Sequence, residues 1–246
     1  MRRWAPAVFA LLVLVAWEAA VRLGHVPAYV LPGPIAIGRA FGGDAGNMLR
    51  ALGSTLTVTA AALVVASVVG VVLALAMQAS GWARAAIQPW AVALQVTPVV
   101  AIAPLIIVWV GNPFAALVVC AAIVAFFPIF SNTAAGLAAP PGEMVDLFRL
   151  YGASRWAVLF RLRLPHALPY LLSGLRISGG LALVGAVVAE FVAGSGGFAS
   201  GLAYLILEAG YRLEIPRMFA ALVLLALAGI GINAVLGWLA QRLSRA

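Results

Sequence analysis

DLFRLYGASRWAVLFRLRLPHALP, residues 146–169, is the stretch that organises this chain. It holds five charges and a histidine in a sequence that is 65% hydrophobic and 9% charged. Soluble domains carry about 25% charged residues, so the composition reads as a membrane protein. The mean hydropathy of +1.12 agrees. Apolar runs of about 20 residues cross the hydrocarbon as helices. A basic, amphipathic island inside such a chain belongs outside the bilayer, and it separates the spans before it from the spans behind it.

Working outward from the island, six spans are readable. They run over about 4–21, 55–77, 87–110, 114–135, 170–193 and 218–239. The expected fold is all-α: one polytopic membrane bundle over 1–246, with a cytoplasmic loop at about 140–168 between the fourth and fifth spans. Orientation follows from the arginines. With the N-terminus inside, Arg2, Arg3, Arg84, Arg149, Arg155, Arg161, Arg163, Arg242 and Arg245 are cytoplasmic. Arg22, Arg39, Arg50, Arg212 and Arg217 are then external. Basic residues gather in cytoplasmic loops, so both termini and the island are expected there. A cleaved signal peptide is the other reading of the first span, but its apolar run continues to Val21.

All 15 basic residues are arginine. With no lysine, a Walker A phosphate loop and Schiff-base chemistry are excluded. The glycine-rich stretch at 194–201 has neither that lysine nor a preceding strand, and reads as an external loop. The single cysteine, Cys120, cannot close an internal disulfide and reads as a packing residue. His25 and His166 fall on opposite sides of the membrane, so no metal centre is expected. No nucleic-acid partner is expected either, because the basicity is explained by membrane orientation.

Within the island, Pro140 and Pro141 stop the fourth span. Glu143 and Asp146 are expected in a first helical turn, where acids suit the positive end of the helix dipole. Gly152 reads as a C-terminal stop and Ser154 as the cap of a second helix, which Pro165 and Pro169 end. Trp156, Leu159, Phe160 and Arg163 make an apolar stripe flanked by arginines. Such a helix either lies on anionic lipid or docks a cytoplasmic partner, and periodicity does not separate the two.

The third span, IQPWAVALQVTPVVAIAPLII at 87–107, carries three prolines. Proline breaks survive in a membrane where protein or a wet cavity satisfies the freed backbone. The span either lines a pathway or is a kinked packing helix. Gln95 and Thr97, polar and beside Pro98, are the pathway candidates it offers. Asn132 and Ser131, late in the fourth span, read as helix caps or cross-links, with Asn132 a further pathway candidate. Arg176 is either an anion-attracting group on the inner pathway or a side chain snorkelling to the cytoplasmic surface, the second being preferred. Glu190 is too far along the same helix to pair with Arg176, so its partner is expected in the outer loops or in another subunit.

The island also resembles a family signature. Permease subunits of type I ABC importers carry Glu-Ala-Ala, three residues, Gly, nine residues, a hydrophobic residue, one residue and Leu-Pro. In register, Asp146 stands at the acid, Gly152 at the glycine, Leu162 at the hydrophobic position, and Leu164 and Pro165 at Leu-Pro. Leu147 and Phe148 replace the two alanines. Trp17-Glu18, LPGP at 31–34, TPVVAIAPLIIVWVG at 97–111, GLRIS at 174–178 and AEF at 189–191 are similar to the nitrate, sulfonate and taurine branch. That branch also includes permeases for thiamine-precursor pyrimidines.

The resemblance implies a transport subunit that is not itself an enzyme and carries no cofactor. ATP and magnesium would sit on a cytoplasmic ABC ATPase dimer. That dimer would be gripped by Asp146, Gly152, Ala153, Ser154, Leu162, Leu164 and Pro165. It also implies a second permease copy, an extracytoplasmic substrate-binding protein and a place in a bacterial inner membrane. Rival classes are a carrier driven by an ion gradient and an intramembrane protease. The first lacks a mid-span acid, and for the second Ser195 has no histidine at its depth.

Overall fold

The computed structural model describes residues 4–193 and 200–243. The glycine-rich stretch at 194–199, with Ser195, and Arg2, Arg3 and Arg245 lie outside the described residues. Among the described residues there is no strand. The helices are α1 (Ala5–Leu23), α2 (Pro34–Ala79), α3 (Gly81–Val96), α4 (Val99–Val110), α5 (Pro113–Ala138), α6 (Gly142–Leu150), α7 (Arg155–Val158), α8 (Leu164–Ala193), α9 (Leu202–Tyr211) and α10 (Ile215–Leu243). A π-helical turn, Leu159–Arg163, links α7 to α8. Five helical runs are long and apolar enough to cross a membrane: α1, α2, α5, α7 through α8, and α10. The pair α3 and α4 makes a sixth if it is one broken span.

Two compact units divide the chain: Met1–Thr55 with Gly194–Ala228, and Leu56–Ala193 with Gly229–Ala246. In the first, the expected external loop before the second span is helical: α2 begins at Pro34, not near Thr55. Its start is capped from α1. The Glu18 carboxylate accepts from the Ile35 amide at 3.1 Å and pairs with Arg22 at 2.7 Å. Gly33 lets this carboxylate come close, since a Cβ there would stand 2.6 Å from Glu18 Oε2 and push it aside. This brings Glu18 of the Trp-Glu pair against the end of the LPGP segment. Ile37, Met48, Ala51, Leu202, Leu205 and Ala221 form the unit's core, and the short helix α9 supplies part of it. The helix breaks its dihedrals at Asp44, which binds Arg217 at 2.7 Å.

The second unit is centred on α5 and α8, which pack antiparallel. Ser178 Oγ donates to the Ala125 carbonyl at 2.6 Å. A Cβ on Gly174 would lie 2.8 Å from Pro128 O, one on Gly185 2.8 Å from Ala121 Cα, and one on Gly136 2.8 Å from Ala167 Cα. Small residues at these three levels let the backbones touch, the usual basis of helix association in lipid. Asn112 caps α5 by accepting from Ala115 N at 2.9 Å, and Pro113 fills the first helical position, where no N–H is missed. Cys120 is buried in α5.

Candidate functional site: the hairpin between α5 and α8 and the broken helix

The hairpin at 142–163 is a closed piece of local structure. Helix α6 ends in a Schellman motif. The Gly152 amide donates to Arg149 O and the Ala153 amide to Phe148 O, each at 2.9 Å. Gly152 has φ +69°, the left-handed region that glycine enters without cost. Ser154 Oγ then accepts from Ala157 N at 3.2 Å and starts α7. Val145, Val158 and Leu162 are buried together, with Phe148 and Ala153 against them. A small apolar core therefore fixes the angle between the two arms.

Two expectations are corrected here. Asp146 is not in the first turn of α6, because that helix starts at Gly142, a full turn earlier. Its exposed carboxylate pairs with Arg149 at 3.3 Å. Nor do Pro165 and Pro169 end the second arm: helix continues from Arg155 to Ala193. The π turn explains this. The Leu164 amide reaches back to Leu159 O, shifting the hydrogen-bond register just before Pro165, whose nitrogen has no hydrogen to give. Arg163 Nη1 donates to Leu137 O at 3.4 Å and ties this turn to the end of α5.

The stripe seen in the sequence divides into two faces. Leu162 and Val158 point into the hairpin core. Trp156 and Phe160 stack with 6.0 Å between centroids and stay exposed. At the tip, Leu150 is 85% exposed and Tyr151 83%. Leu164 and Pro165 are exposed on the same arm. A rigid hairpin with a bare apolar tip is built to be covered by something.

The second feature is the break between α3 and α4, whose axes bend by 105°. The expected kinked third span is therefore two helices. Thr97 and Pro98 are both extended. Proline disfavours helix in the residue before it. The Thr97 amide and hydroxyl both bond Ala93 O, at 3.1 and 2.7 Å, and close α3 there. α4 restarts at Val99 and ends at Gly111, again left-handed.

Against this break, α5 and α8 leave a cavity of about 360 Å³. Gln95, Thr97, Val99, Phe127, Pro128 and Val184 are among its walls. Pro98 makes the bend but is not itself a wall. The other pathway candidates lie elsewhere. Asn132 donates to Pro128 O at 2.8 Å and packs at the α5–α8 crossing near Gly174. Arg176 is about three turns into α8, deeper than expected because α8 begins earlier. Its Nε donates to Asn233 Oδ1 on α10 at 2.9 Å, and the side chain is exposed. Glu190 is 3% exposed near the end of α8 and does not line the cavity. Sequence reading missed Asn233, Phe127 and Val184. An isolated Asn in an apolar helix was the one available signal.

Apolar helices of spanning length, a broken pair around a cavity, and a capped polar hairpin between α5 and α8 define a multi-pass helical membrane protein of the transporter type. The chain belongs to the family of binding-protein-dependent transport system inner membrane components, whose family model matches residues 66–246. It is 36% identical over 244 residues to the riboflavin transport system permease protein RibX of Chloroflexus aurantiacus, covering 96% of this chain and 87% of that one. It is 34% identical over 226 residues to the formylaminopyrimidine transport permease protein ThiX of Halalkalibacterium halodurans, covering 92% and 88%. Among solved structures, a chain of the MetNI methionine ABC transporter in an inward-facing form shares the fold. That match has a TM-score of 0.56 at 21% identity and covers 80% of this chain and 93% of that one. The chain is thus an ABC importer permease.

Proposed function

We propose that this permease works by alternating access, driven through its cytoplasmic hairpin by an ABC ATPase dimer on separate chains. The observation that carries this is the hairpin itself: an apolar core, a left-handed Gly152 and an uncovered Leu150–Tyr151 tip, between the two most closely packed helices of its unit. A push on a rigid hairpin is transmitted to α5 and α8, since Arg163 and the helical run into α8 leave no slack. Asp146, Gly152, Ala153, Ser154, Leu162, Leu164 and Pro165 set the hairpin's shape and its contact with the ATPase. Both termini are cytoplasmic, two copies of the chain form the pathway, and an extracytoplasmic binding protein delivers the substrate. That substrate is a small organic nutrient or anion, of the range that includes nitrate, sulfonates and thiamine-precursor pyrimidines. The relatives' names, riboflavin and formylaminopyrimidine, support the nutrient side of that range. Gln95, Thr97 and the Pro98 bend border the pathway, with Asn132, Arg176 and Glu190 shaping the helices around it.

The test is co-purification with the partner ATPase, wild type against Gly152→Arg. The expected result is retention by wild type and loss of retention, or of transport-coupled ATP hydrolysis, in the variant while both insert in membranes. Equal retention and coupling in both would remove the hairpin from the mechanism.

A further inference from the structure

We propose that the cavity at the α3–α4 break is a transport site for an uncharged, flat heteroaromatic nutrient that offers both hydrogen-bond donors and acceptors. This rests on the permease reading above and narrows what the permease carries. The cavity's volume of about 360 Å³ lies near the lower end of the ~300–1,000 Å³ usual for small-ligand sites, room for a compact ring system. Its walls are Phe127 and branched aliphatic side chains, which suit the two faces of a flat ring.

The polar groups are few and neutral. Gln95 presents an amide, one acceptor oxygen and an NH2 donor, with no hydrogen bond to its side chain among the described residues. Thr97 spends its hydroxyl hydrogen on Ala93 O, which leaves its oxygen lone pairs to accept. The backbone repeats this balance. Pro98 has no N–H for the Leu94 carbonyl. The Ala101 amide is taken by Pro98 O at 2.9 Å, which leaves the Val99 and Val100 amides ahead of it without a partner in their own helix. The negative end of α3 and the positive end of α4 meet at the same break, so their dipole fields oppose each other.

No charged side chain lines the cavity among the described residues. Arg176 on α8 is not among its walls. A sulfonate or nitrate ion here would be desolvated without a counter-charge, which is costly at membrane depth. A ring edge that both gives and accepts hydrogen bonds satisfies Gln95, Thr97 and the freed backbone together. Ligands lacking those groups leave them unpaired and are rejected.

The experiment uses the complete permease–ATPase complex in nanodiscs, carrying Val184→Cys on the cavity wall. Val184 is an exposed apolar wall residue, so the change leaves Gln95, Thr97 and the packing in place, and the native Cys120 is buried. Labelling by a thiol-reactive fluorophore is timed alone and with riboflavin, 4-amino-5-hydroxymethyl-2-methylpyrimidine, taurine or nitrate. We expect at least one of the two neutral ring compounds to slow labelling by about fivefold or more, and taurine and nitrate to leave it unchanged. A Thr97→Val variant should then weaken protection by that compound while ATPase binding is retained. Protection by taurine or nitrate, or by none of the four, overturns the assignment and leaves the importer reading standing. Failure of wild type to bind any ATPase takes down the importer reading, and this assignment with it.

Discussion

Gly152→Ala isolates one physical quantity in the hairpin. A Cβ at Gly152 meets nothing within 4 Å, so the substitution has no steric term. What remains is the backbone at φ +69°. A left-handed conformation costs a side-chain-bearing residue about 1–2 kcal/mol, offset by ~0.4–1 kcal/mol because alanine stiffens the unfolded chain. The net loss is about 1 kcal/mol, or about fivefold in the equilibrium constant between the native and the opened hairpin. The two Schellman hydrogen bonds and the Val145, Val158 and Leu162 core are what the native form preserves. If the ATPase recognises only the native hairpin and itself draws that form from a mostly open ensemble, its apparent affinity for the permease in nanodiscs falls by about the same factor of five. Gly142→Ala is the control. It sits at the start of α6 with ordinary φ and open space around it, so it should bind like wild type. Gly152→Arg carries the same backbone cost plus a long side chain on the docking face, and should lose more. Titration of ATPase onto the three variants decides the matter. Wild-type affinity in Gly152→Ala would show that hairpin geometry does not govern docking.

Other outcomes follow from the packing. Gly136→Ala and Gly185→Ala place a Cβ at 2.8 Å from backbone atoms of the facing helix. Each should lower thermal stability in detergent by about 1–3 kcal/mol, whereas Gly180→Ala, with nothing nearby, should not. Ser178→Ala removes the bond to Ala125 O and should cost about 0.6–1.7 kcal/mol by the same measurement. Arg217→Gln removes the cation shared by Asp44 at 2.7 Å and Glu214 at 2.9 Å. The residue is one-fifth exposed, so a loss of about 1.5–3 kcal/mol is expected, and the double variant with Asp44→Asn should lose less than the two single losses summed.

Much of the fold was legible because hydrocarbon leaves the chain few choices. Long apolar runs had to be helices, and five of the six appear, although the second starts at Pro34 instead of near Thr55 and the fifth is helical from Arg155 instead of Tyr170. The hairpin was legible because Gly152 and Ser154 each act through local bonds, within three to five residues. Asp146 was misplaced because Gly142, not an acid, opens α6. What sequence could not give is whatever depends on distant partners. The helix over 34–54 and α9 are held by one shared core, and neither has a spanning-length apolar run to announce it. Three prolines in the third span looked alike, but only Pro98 breaks the helix, where Thr97 doubles up on Ala93. The continuation of helix through Pro165 depends on a π turn that no residue pattern foretold. Gln95 and Thr97 were visible as polar residues, while the walls opposite them come from α5 and α8. Arg176 was read as a lone charge because Asn233 lies 57 residues away.

The central claim is that ATP on a partner chain drives this permease. The most direct measurement is uptake by proteoliposomes holding the permease, its ATPase and its binding protein, with a panel of the four probe compounds outside. Accumulation that requires enclosed ATP and all three components, and that persists after ion gradients are collapsed, is the predicted result. Accumulation by the permease alone under a proton or sodium gradient, indifferent to ATP, would contradict the account.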